Sequence, residues 1–105
     1  MRNFEKEWNI AVSKNDERKI GEIAEAIYNQ YFLLVFKVSY TILLNKEEAE
    51  DATQDAFVAF FNSRETGTHI DNIKYYLLNS AKFISYRRKQ KSESLLCFEE
   101  ERASD

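Results

Sequence analysis

Tyr75, Asn79, Lys82 and Tyr86 follow one another at spacings of four, three and four residues, with Phe83 and Lys89 beside them. On a helix turning about 100° per residue, these side chains share one face. Ile73, Leu77, Ala81 and Ile84, with Ser80 at their edge, form the apolar stripe on the other side. The polar face therefore alternates aromatic rings, an amide and ammonium groups. Rings stack on unpaired bases with roughly 1–3 kcal/mol per base, and lysines hold phosphates. The run Arg87-Arg88-Lys89-Gln90-Lys91 adds a dense positive segment. The alternative is plainer: the tyrosines lie flat on a neighbouring helix, and the basic run is a solvated end.

A second set of residues carries the opposite charge. On a helix starting at Asn45, the residues Ala49, Ala52, Thr53, Ala56 and Phe60 fall on one side, which must be buried. Glu47, Asp51, Gln54, Val58 and Phe61 fall opposite, with Asp55 and Asn62 at the margin. Such a face, acidic at its start and apolar near its end, suits docking of a basic partner helix. A solvated face whose acids serve the helix dipole is the competing reading.

Constellations for covalent chemistry do not assemble. There is no glycine-rich phosphate loop, no Cys/His set at metal spacing and no nucleophile with an adjacent base. His69 is the single histidine and reads as a surface loop residue. Glu47, Glu48, Glu50, Asp51 and Asp55 could ligate a metal only if they converged inside a bundle, and the Glu-x-x-His element of such sites is missing. Neither a cofactor nor enzyme activity is expected.

Four helices must position these faces. An amphipathic piece is expected over Asn3–Lys14 and a long helix over Asp16–Leu44, the latter with a break near Asn29–Gln30 left open. The third follows the N-cap Asn45, with Glu48 completing a capping-box pattern and acids filling the first turns, and runs to about Asn62. A loop, Ser63–Ile70, contains Gly67. The fourth helix starts near Asp71 or Asn72 and ends near Gln90, its basic end matched to the dipole. Ser92–Asp105 reads as an acidic linker or frayed end with a Leu95-Leu96-Cys97-Phe98 patch.

The 105 residues include 2 glycines and no proline, too few turn residues for a β-sandwich or barrel, so the expected fold is all-α. Net charge is −3, which by itself argues against nucleic acid. The average hides a pattern: residues 1–68 carry −4, residues 69–92 carry +5, and residues 93–105 carry −4. One cysteine, no apolar run long enough for a membrane and no signal-peptide pattern at the start give a cytoplasmic expectation.

The segment Leu43–Phe61, LLNKEEAEDATQDAFVAFF, resembles the region-two helix of bacterial RNA polymerase sigma factors, closest to the extracytoplasmic-function group. Ala49-Glu50-Asp51 and Gln54-Asp55-Ala56-Phe57 match the family's A-E-D and Q-[DE]-x-F segments. Ile27-Tyr28-Asn29-Gln30-Tyr31 is similar to its Leu-Tyr-x-x-Tyr opening. Tyr76-Leu77, Ala81 and Arg87-Arg88-Lys89 are similar to its aromatic-Leu, Ala and basic helix. The core of the resemblance spans residues 20–91 within an expected domain of residues 1–91, followed by a tail of residues 92–105.

The resemblance implies a compact helical bundle that binds core RNA polymerase and opens the promoter −10 element. By position, Asp51, Gln54, Asp55, Val58, Phe61 and Asn62 would dock on the clamp helices of the largest subunit. Lys74, Tyr75, Asn79, Lys82, Phe83, Tyr86, Arg87, Arg88 and Lys89 would follow the non-template strand, and the loop Ser63–Ile70 would capture a flipped base. An anti-sigma factor is a further candidate partner. The competing function is a helical module that regulates polymerase or a sigma factor without touching DNA; it requires the Tyr75–Lys82–Tyr86 face to be covered.

Five departures stand out, one of them Tyr76, which opens the last helix where the family often has Trp. Leu44 occupies a turn position where the family commonly has glycine. Phe83 and Arg87 stand where Asn and Asp are frequent, unless Tyr86-Arg87-Arg88 takes the family's Tyr-x-Arg-Arg register. No helix-turn-helix for a −35 element follows, so the chain is expected to be a fragment of a two-domain sigma factor.

Overall fold

In the computed structural model, the backbone is described for residues 2–103 and the side chains for residues 2–93. Four helices run in the order α1 (Phe4–Ser13), α2 (Glu17–Leu43), α3 (Lys46–Asn62) and α4 (Ile73–Ala103), with a short 3₁₀ turn at Ser63–Thr66. The all-α expectation holds. Each of the first three helices starts on a side-chain cap. Asn3 accepts from the Lys6 amide at 3.0 Å, Asp16 from Lys19 at 3.2 Å and Asn45 from Glu48 at 2.9 Å. Asn72 does the same for α4, accepting from the Tyr75 amide at 2.8 Å.

α2 is continuous through Asn29–Gln30. It buries Ile20, Ile23, Ile27, Val35 and Ser39 against α3 and α4. α3 buries Ala49, Ala52, Thr53, Ala56, Phe57 and Phe60. The small residues let α3 approach its neighbours, and Phe60 packs on Trp8 of α1 with the rings tilted by 33° and their centroids 4.5 Å apart. Trp8 and Ala11 thereby fix α1 to the core.

α4 departs from the sequence expectation. It continues past Gln90 to Ala103, because nothing between them is a glycine or proline. The basic run Arg87–Lys91 thus sits within the helix, and dipole matching at a C-terminus does not explain it. The Leu95-Leu96-Cys97-Phe98 patch lies outside the residues whose side chains are described.

The α2–α3 turn gives Leu44 a physical meaning. It adopts φ 55°, ψ 25°, the left-handed conformation that closes α2, and is 73% exposed. A β-carbon there costs about 1–2 kcal/mol, and little burial compensates. Leu44→Gly is therefore expected to raise the melting temperature by roughly 4 °C or more in a thermal scan. An unchanged or lowered value would show that the leucine contributes packing to offset the strain.

Candidate functional site

The loop after α3 and the outer face of α4 together form a cleft of about 480 Å³. Thr68, His69, Ile70, Asp71 and Asn72 make one wall; Tyr75, Tyr76, Asn79, Ser80 and Phe83 make the other. Loop shape follows from its backbone. Gly67 takes φ 70°, which suits a residue without a β-carbon, and the Thr66 and Thr68 hydroxyls bond each other at 2.7 Å. Ile70 then turns inward, only 4% exposed. At the far wall, the Tyr76 ring meets Phe60 edge-on at 6.0 Å, so the cleft floor is continuous with the core.

Large rings are left open along this face. Tyr75 is 65% exposed, Phe83 63% and Tyr86 55%. Lys74, Asn79, Lys82, Arg87 and Lys89 are exposed too, and the Arg87 guanidinium lies over the Phe83 ring at 5.6 Å. Among the described residues nothing covers the Tyr75–Lys82–Tyr86 face. Tyr75, Asn79 and Phe83 line the cleft; Lys82 and Tyr86 lie outside its walls. Asn72, Tyr76 and Ser80 line it although the sequence did not single them out as site residues. The spacing Asn72, Tyr76, Ser80, Phe83 is a helical stripe of its own and could have marked them.

Arg88 is placed differently from its neighbours. It turns toward α3, where it donates to Asp55 at 2.7 Å and to Glu48 at 3.2 Å. The Asp55 carboxylate, ahead of all other causes, holds the Arg88 guanidinium above its ordinary pKa. Glu48 is thus directed to Arg88, and the described hydrogen bonds show only the Asn45 half of the capping box.

On α3, Glu47, Asp51, Gln54, Asp55, Val58 and Asn62 are exposed. Acids on the outside of the bundle do not form the convergent set that a buried metal centre needs. Gln54 donates to the Tyr28 hydroxyl at 2.9 Å. Phe61 is half-buried: Trp8 lies 6.3 Å away and the Arg64 guanidinium covers it at 4.3 Å. Phe61 still lines, with Tyr28, Gln54, Phe57 and Val58, an apolar groove of about 300 Å³ between α2 and α3. Acids and groove are thus neighbours on one surface. Among the described residues, Asp51 makes no ion pair, whereas Asp55 shares Arg88 with Glu48. Among the described residues, no helix is long and apolar enough to cross a membrane.

Comparison with family models matches residues 27–93 to the family described as Sigma-70 region 2. No curated protein and no solved structure matches.

Proposed function

The chain belongs to the sigma-70 region 2 family, a sigma-factor domain of transcription initiation with RNA polymerase and promoter DNA as partners, and from this we propose that its two outer faces divide the work. The α3 face, through Asp51, Gln54, Asp55, Val58, Phe61 and Asn62, docks on the polymerase clamp helices. The loop and α4 hold the non-template strand of the −10 element after melting.

The observation that carries this is the cleft, an apolar-walled opening flanked by exposed rings and lysines within the family-matched segment. Its chemistry is binding. Tyr75, Asn79 and Phe83 offer stacking and an amide to an unstacked base, and Lys74, Lys82 and Lys89 hold the backbone. Taking a base out of the duplex costs a few kcal/mol, which stacking and phosphate contacts offset. Arg88 serves this surface indirectly, tying α4 to α3.

Charge reversals separate the two faces. Asp51→Arg is expected to weaken binding to a clamp-helix fragment by about tenfold, since like charges then face each other. Lys82→Glu is expected to weaken binding of a −10-like single strand and to flatten its salt dependence. Clamp binding that ignores Asp51→Arg would remove the docking assignment.

A further inference from the structure

The loop wall of the cleft is held from outside the family-matched segment. α1 ends before residue 27, where the match begins, yet two of its side chains reach the cleft backbone. The Asn9 amide nitrogen donates to the Ile70 carbonyl at 3.0 Å, and the Ile70 amide donates back to Asn9 Oδ1 at 3.5 Å. One side chain thus engages both polar groups of a single loop residue. The Glu5 carboxylate accepts from the Ile73 amide at 3.2 Å. Ile73 is the first residue of α4, so Glu5 satisfies an amide that the helix itself leaves free and places negative charge at its positive end.

These contacts join residues 61 and 68 positions apart in sequence. The stretch between them, Ile70–Ile73, is where the chain turns from the loop into α4. Gly67 donates back to Arg64 and Tyr76 donates to Asn72, but among the described backbone hydrogen bonds none starts or ends at Ile70 or Asp71. Asn9 therefore supplies the hydrogen bonds that fix Ile70 itself, beside an exposed contact of His69 Nε2 with Asp71 Oδ1 at 3.1 Å. His69, Ile70 and Asp71 also form one side of a second groove of about 330 Å³, whose other side is α1 with its cap Asn3, including Glu5, Lys6 and Asn9. The loop is a partition with the cleft on one side and α1 on the other. α1 cannot shift easily, because Trp8 is 1% exposed and packed against the Phe60 ring.

We infer that α1 is a positioning element for the base cleft, with Asn9 and Glu5 as the positioning residues: they hold Ile70 and the start of α4 in the conformation that receives a base. This rests on the assignment of the cleft to an unstacked base. A wall already in place spares the strand the cost of ordering it on binding.

The test uses single strands about ten nucleotides long, homopolymers of dA, dC, dG and dT, and an all-abasic strand with the same phosphates. The natural chain is expected to bind at least one base-bearing strand more tightly than the abasic strand. Asn9→Ala should lose about three- to tenfold on that strand and nothing on the abasic one. Glu5→Ala should follow it, and Glu5→Gln, which keeps an acceptor for the Ile73 amide, should behave as the natural chain does. Equal losses on base-bearing and abasic strands would overturn the positioning role, since a general loss of structure does not depend on bases. Unchanged affinity in Asn9→Ala and Glu5→Ala, with base preference intact, would overturn it and leave the cleft assignment standing. If the natural chain itself shows no preference for bases, the cleft assignment fails, and the inference with it.

Discussion

Trp8→Ala is expected to lower the melting temperature by at least roughly 12 °C, taking a cost of about 3–5 kcal/mol and a shift of about 4 °C per kcal/mol. Trp8 is 1% exposed, with the Phe60 ring packed against it at 4.5 Å and Phe61 at 6.3 Å. Its removal leaves a cavity beside Phe60 and Phe61, which the surrounding side chains close only in part. Total stability of a domain this size is about 5–15 kcal/mol, so the variant sits close to unfolding at moderate temperature. The consequence reaches the cleft, because α1 carries Asn9 and Glu5. A circular-dichroism melt decides it. A melting temperature within a few degrees of the natural chain would mean that α1 is an appendage and not part of the core.

Trp8 also shows how much of the fold could be read from sequence. The cap Asn45 and the buried alanines of α3 follow from local chemistry and helical period and stand where those rules put them, while Asn3 and Asp16, read as the first residues of their helices, are the caps just before them. Leu44 was legible as a departure from a family glycine; its left-handed backbone supplies the reason. The exposed rings of α4 were legible because Ile73, Leu77 and Ala81 left them no buried side.

Long-range choices were not legible. Arg88 belongs by sequence to a basic run, yet its partners Glu48 and Asp55 lie 40 and 33 residues away. Periodicity places it in line with Leu77, Ala81 and Ile84, on the inward side of α4, but cannot say which neighbour will claim it. Phe61 falls by helical angle on the outer face of α3, but the adjacent Trp8 and Arg64 half-cover it. The end of α4 was misplaced because a basic cluster reads as a C-terminal signal even where no helix breaker follows. Asn9 gives no hint at all: a lone amide on a surface helix acquires its role only when the loop is folded beside it.

The largest effect on function is expected from the two rings that flank the cleft. Tyr75 and Phe83 are both more than 60% exposed, so removing them costs the fold little. Each stacked base is worth roughly 1–3 kcal/mol, and the double variant Tyr75→Ala/Phe83→Ala should bind a −10-like single strand at least about tenfold more weakly. Neither ring carries charge, so the slope of affinity against salt should stay that of the natural chain, in contrast to Lys82→Glu. The decisive measurement is a fluorescence titration of that strand, at fixed salt, with the natural chain and the double variant. A tenfold or greater loss with an unchanged melting curve is the predicted result; equal affinity in the two proteins would contradict the assignment of this face to single-stranded DNA.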